Sequence, residues 1–132
     1  MMNAFRLGAV GCVAMGLVAC ASTPTSATAG FPAGRYASGD DVLISFSADG
    51  RMQGASRSTG EVWGRGRYRV EDGVLVVTDE WHAANMPSPE CIEIPGRYRW
   101  TSTGTELKFT VIEDPCALRA EGMQAPAWTR VD

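Results

Sequence analysis

Apolar and polar residues alternate with a period of two in three stretches of this chain. Val42, Ile44 and Phe46 share one face of an expected strand, and Val74 and Val76 begin the apolar face of another. Leu107, Phe109 and Val111 form a third, with Glu106, Lys108 and Thr110 on the opposite side. Half-buried antiparallel strands read this way. Ahead of each lies a self-similar unit: Gly34-Arg35-Tyr36, Gly66-Arg67-Tyr68 and Gly96-Arg97-Tyr98, spaced by 32 and 30 residues. Residues two apart in a strand lie on one face. This spacing places each Tyr inward against the gap left by its own glycine, with Arg35, Arg67, Arg69, Arg97 and Arg99 pointing out.

The turn signals agree with a repeated hairpin. Asp49-Gly50 and Asp72-Gly73 suit tight turns that need positive φ, and Thr103-Gly104-Thr105 supplies another. Strands are expected near 33–37, 41–48, 51–56, 61–70, 74–80, 92–101, 106–113 and 127–131. Eight antiparallel strands with short turns predict an all-β, up-and-down barrel, which removes the sheet edges that invite aggregation. No stretch has a sustained helical period, and 117–124 (ALRAEGMQ) has room for one turn.

The first 19 residues differ from the rest. Fourteen of them are apolar, and the uncharged block between Arg6 and Cys20 is about thirteen residues long, short of the roughly 20 needed to span a bilayer. A secretory signal fits better than a transmembrane helix. Its ending, Leu17-Val18-Ala19-Cys20, resembles the lipobox of bacterial lipoproteins. That resemblance implies cleavage before Cys20, a diacylglycerol thioether on its sulfur, an acyl chain such as palmitate on the new amino group and, with Ala21 following, sorting to the outer membrane. Several acyl chains on one residue anchor stably where a single chain does not. Residues 20–30 then read as the lipidated cysteine and a flexible tether. Its nine residues Ser22 to Gly30 have a reach of about 15–18 Å. Residues 31–132 form the single domain.

Without the leader, eleven basic side chains stand against fifteen acidic ones, which argues against a nucleic-acid partner. Cys12 falls in the leader and Cys20 takes the lipid. Cys91 and Cys116 remain as the pair available to the folded domain, in a compartment that permits oxidation. A bridge between them would close a loop of about 26 residues, worth about 3.5 kcal/mol in the chain-entropy description. Neither cysteine sits in a C-x-x-C arrangement, which favours a structural bridge over a redox-active pair.

The Gly34-Arg35-Tyr36 unit, the hairpin meander and the terminal Trp128-Thr129-Arg130 strand together resemble the lipocalin-like, or calycin, barrels. In that superfamily an N-terminal Gly-x-aromatic unit packs near a C-terminal Arg, so the resemblance implies that Tyr36 and Arg130 meet. The run Asp114-Pro115-Cys116-Ala117-Leu118-Arg119 is similar to small bacterial lipocalin-like domains of unassigned function. Tyr stands where lipocalins favour Trp, and the chain is shorter than a full lipocalin.

Candidate chemistry is sparse. His82 has no second His or Cys nearby for a zinc site and no nucleophile at recognisable spacing, and at a strand end it reads as an exposed, idle side chain. Asp40-Asp41, Asp79-Glu80 and Glu113-Asp114 lack the D-x-D-x-D-G spacing of a calcium loop and read as solvated turns. The Arg stripe of Arg65, Arg67 and Arg69, with Arg97 and Arg99 on a nearby strand, reads as an outer strand face paired with acids in preference to a surface for an anion such as lipid phosphate or a glycan. No catalytic, metal or cofactor role is expected. Trp63, Trp81, Trp100 and Trp128 are expected inward, filling the barrel or lining a pocket. The candidate ligand-binding residues are Tyr36, Trp63, Tyr68, Trp81, Tyr98 and Trp100. Residues 83–90 (AANMPSPE) break the hairpin rhythm and suit a lid or a binding loop. The function these residues suggest is a lipid-anchored protein on the periplasmic face of the outer membrane that binds a small apolar or amphiphilic ligand. The alternative is an envelope interaction protein, or an inhibitor of another protein, working through its loops.

Overall fold

The computed structural model describes residues 26–86, 89–125 and 127–131; the leader, Cys20 and the first part of the tether lie outside them. The chain forms β1 (Gly34–Ser38), β2 (Val42–Phe46), β3 (Arg51–Ser56), β4 (Val62–Glu71), β5 (Val74–His82), a 3-10 turn (Pro89–Cys91), β6 (Pro95–Ser102), β7 (Glu106–Glu113), α1 (Ala117–Met123) and β8 (Trp128–Val131). The eight strands make a closed antiparallel barrel in chain order, with β8 pairing back onto β1. This is the architecture expected from the alternation and the turns. Asp72 and Gly73, at φ 51° and 74°, provide the positive angles that the tight β4–β5 turn requires.

Two differences from the expected elements stand out. β6 starts at Pro95 rather than near 92, because Glu93 takes a positive φ of 61° and Ile92 forms a lone parallel bridge to Asp79. The helix runs for two turns instead of one, and the buried Met123 at its end supplies a tertiary contact that a short sequence window does not reveal.

All three tyrosines of the repeated unit are buried, but not against their own glycines. A Cβ on Gly34 would run into the Arg130 guanidinium, one on Gly96 into Asp114 and Arg119, and one on Gly66 into the backbone carbonyl of Thr78. Each glycine makes room for a different strand's neighbour. Replacing Gly66 by Ala is accordingly expected to cost about 1–3 kcal/mol, read as a lower urea midpoint. Gly64→Ala, whose Cβ meets its nearest neighbour at an ordinary 3.6 Å, is expected to change stability by no more than about 1 kcal/mol.

The inward residues of β5 are Leu75 and Val77, which pair across the sheet with Tyr98 and Tyr68 and join the core. Val76 points outward between Arg69 and Arg97, yet is only 2% exposed. The run VLVV is apolar on both faces, so alternation there assigned the wrong face. Long arginine stems flanking an outward Val are suited to shielding it.

One end of the barrel is closed by the chain entering it. Residues 27–30 turn, Val70 N donates to Ala27 O at 2.6 Å and Thr28 Oγ1 donates to Ala48 O at 2.8 Å. Phe31 then inserts among Phe46, Tyr68 and Trp100, with ring centroids 4.9, 5.2 and 5.3 Å away. Arg130 meets Tyr36, as the lipocalin-like resemblance implied. Its Nη2 donates to the Tyr36 hydroxyl at 2.8 Å, its guanidinium carbon lies 5.0 Å from the ring centroid, and Nη1 donates to Ala33 O. Burial raises the Tyr36 hydroxyl above its ordinary range despite the nearby Arg130 charge, so the phenol stays protonated and donates to Pro32 O at 2.6 Å. Tyr68, also raised by burial, to about 12, donates to Ser47 O at the same end.

Candidate functional site

The opposite end of the barrel is hollow. Gly54 and Gly64 face each other across β3 and β4, and Gly66 follows on the same inward face as Gly64. Beside them the lumen holds a cavity of about 380 Å³, and of the three glycines only Gly64 leaves room for a Cβ. This volume falls within the range that holds small molecules. Its apolar walls include Ile44, Met52, Trp63, Met123 and Trp128, and Val42, Met86 and Leu118 stand at its mouth. Trp63 lies flat across Gly54, where a Cβ would strike the indole ring.

A bulge in β5 builds the polar wall. Gly66 pairs with Asp79 and Arg65 pairs with Trp81, so Glu80 is the extra residue. Without the bulge, Asp79 and His82 would lie on opposite faces; with it, both point inward and Trp81 is turned out. His82 Nε2 contacts Asp79 Oδ2 at 3.0 Å. The same oxygen lies 3.4 Å from Arg119 Nη1, whose guanidinium also makes paired bonds to Asp114, Nε–Oδ2 at 2.8 Å and Nη2–Oδ1 at 2.7 Å. Tyr98 Oη donates to Asp114 Oδ2, and Arg119 Nη2 also donates to Ile94 O at 2.7 Å. Five polar side chains from β5, β6, the segment after β7, and α1 thus form one chain of contacts.

These groups are deeply buried: the Asp114 side chain is 0% exposed and that of Arg119 7%. Burial pushes the Asp114 carboxyl up, but the bonds from Arg119, Tyr98 and the Cys116 N–H outweigh it and hold the group below the usual carboxylate range. Burial likewise works against the Arg119 charge, and Asp114 and Asp79 more than restore it. Tyr98 is raised first by burial and then by its bond to the Asp114 carboxylate. Two buried nitrogens in this wall, His82 Nδ1 and Arg119 Nη1, make no hydrogen bond. The Cys91–Cys116 disulfide, Cα–Cα 5.4 Å, ties the 3-10 turn to the residue capping α1 beside the mouth.

The residues expected to bind a ligand separate into three groups. Trp63 lines the cavity. Tyr36, Tyr68 and Tyr98 belong to the solid core, and the half-buried Trp100 packs against it. Trp81 is 43% exposed on the outer face, under Arg65 at 5.1 Å from its ring centroid. Trp128, expected inward, is buried and lines the cavity. His82 is neither exposed nor idle, and Asp79 and Asp114 are buried partners instead of solvated turn residues. The outward Arg stripe is paired with acids in part: Arg67 with Glu93 and Glu80, Arg69 with Glu71. Among the described residues no three His, Cys, Asp or Glu side chains are grouped to hold a metal ion.

No family model, curated protein or solved structure matches this chain. The missed residues, Asp114 and Arg119, stood in the Asp114-to-Arg119 run that carried part of the lipocalin-like resemblance. A charged pair five residues apart across a Pro-Cys step was the signal available in the sequence.

Proposed function

We propose that this protein holds a small apolar or amphiphilic molecule in the open end of its barrel and is fixed to the periplasmic face of an outer membrane by lipid on Cys20. The observation carrying the binding reading is the cavity of about 380 Å³ between Trp63, Trp128 and the methionines. Flexible thioether side chains adapt to ligands of varied shape, and the opposite end is already filled by Phe31 and its aromatic neighbours. The lipid anchor rests on the Leu17-Val18-Ala19-Cys20 ending. Labelling with a palmitate analogue is expected to mark the native chain and not Cys20→Ala, which should appear in the soluble envelope fraction.

Titration with an apolar fluorescent probe, followed through the emission of Trp63 and Trp128, tests the cavity. Gly64→Leu places a side chain in the lumen at a position that tolerates a Cβ. It is expected to weaken probe binding at least tenfold with an unchanged circular dichroism spectrum; unaltered binding would place the probe outside the barrel.

A second reading, interaction with another protein, is favoured by the exposed Trp81 and Leu118 near the mouth, 43% and 51% accessible. Large exposed aromatics are common anchors of protein interfaces. Cross-linking in intact envelopes with native and Trp81→Ala chains separates the two: a partner lost with Trp81 supports this second reading, and an unchanged pattern counts against it.

A further inference from the structure

The polar wall of the cavity specifies more than an apolar guest. Among the buried side-chain atoms of the described residues, His82 Nδ1 and Arg119 Nη1 lack hydrogen-bond partners, and both residues line the cavity. An unsatisfied buried polar group is costly, so a guest that pairs with both is favoured over one that pairs with neither.

The chemistry of the two nitrogens is complementary. Nε2 of His82 faces the Asp79 carboxylate at 3.0 Å, which takes a proton-bearing nitrogen as its partner. In the neutral ring Nδ1 is then a bare acceptor. Nη1 of Arg119 is a donor by nature. Its approach to Asp79 Oδ2, at 3.4 Å, is an ion pair that lacks hydrogen-bond geometry.

We propose that the cavity selects an amphiphile with an uncharged head that both donates and accepts, a hydroxyl group, which gives its proton to His82 Nδ1 and accepts from Arg119 Nη1. This rests on the cavity-binding reading and adds the class of head group. A carboxylate head would satisfy Nη1 alone and bring a third anion beside Asp79 and Asp114. An ammonium head would satisfy Nδ1 alone and sit against the Arg119 guanidinium. An alkane would leave both nitrogens unpaired. Both nitrogens are buried and unpartnered while their residues line the cavity, so pairing requires the imidazole edge and Nη1 to turn toward the bound hydroxyl. The rest of the Arg119 guanidinium stays on Asp114 and Ile94 O.

The test is a displacement titration of the full chain at pH 8 with decanol, decanoate, decylamine and decane, four probes that share a ten-carbon chain. Decanol is expected to bind about tenfold tighter than each of the others. His82→Leu is expected to abolish that preference, with retained thermal unfolding as the check on folding. The ligand series on the native chain decides the matter even where that variant does not fold. Equal affinities for all four, or a preference for decylamine, overturn the head-group inference and leave the cavity reading standing. A preference for decanoate also overturns it, because it would mean a doubly protonated imidazole offering a second donor. No binding by any of the four overturns both.

Discussion

Replacing Asp114 by Asn is expected to lower the unfolding free energy by about 3–5 kcal/mol. The Asp114 side chain is fully buried and accepts two bonds from the Arg119 guanidinium, one from the Tyr98 hydroxyl and one from the Cys116 amide. An amide cannot accept at both of its ends, so Asn leaves the buried Arg119 cation with only the longer ion pair to Asp79. A domain of this size is stable by about 5–15 kcal/mol, and the loss would show as a large fall in the urea midpoint. Asp114→Leu combined with Arg119→Met removes both charges together and should recover much of that loss, since replacing a buried pair costs far less than breaking one. A double variant as unstable as Asp114→Asn would count against the unpaired Arg119 charge as the source of the loss.

The same pair sets an acid limit on the fold. The folded-state pKa of Asp114 lies below its ordinary value of 3.8. Its contribution to stability is therefore complete above that ordinary value and is lost as pH falls through the lower, folded-state value. Urea midpoints of the native chain should fall as pH drops below about 4, and those of Asp114→Asn should fall less steeply over that window.

The second large effect is expected from the disulfide. Replacing Cys91 and Cys116 together by Ser should cost about 3.5 kcal/mol, the chain-entropy value for a closed loop of about 26 residues. The bridge joins Cys91, at the end of the 3-10 turn, to Cys116, which caps α1 two residues beyond Asp114 and three before Arg119. Its loss should thus speed hydrogen exchange of the α1 amides more than those around Phe31. The effect should also be non-additive with Asp114→Asn, because both changes loosen one connection. Uniform exchange across the barrel would show that the bridge acts only on the unfolded chain.

The barrel was legible in the sequence because its signals are local. Alternation in Val42–Ile44–Phe46 and Leu107–Phe109–Val111, together with the Asp-Gly turns, located the strands to within about three residues. β5 was not legible in its facing, since VLVV carries no alternation to read. The polar wall was illegible for a different reason. Asp79 and His82 share a face only because Glu80 bulges out of the β4–β5 ladder, and a bulge depends on the partner strand. Trp81 lost its inward place to the same bulge. The meeting of Arg119 with Asp79 joins α1 to β5 across the barrel end, 40 positions apart in the chain, and no periodicity reports a contact of that kind. Trp63 was found as an aromatic, but its role depends on Gly54 opposite, whose missing side chain is visible only in three dimensions.

The docking of residues 27–31 onto the closed end also fixes a direction. The chain reaches the barrel at the pole where Phe31 enters, while the lumen opens at the other pole, between Val42, Met86 and Leu118. Any surface holding the chain by its N-terminal side therefore meets the filled pole first. On the proposed lipid-anchored, ligand-binding reading, the mouth would lie at the pole away from the attachment point, and a guest would not need to pass between the barrel and the membrane.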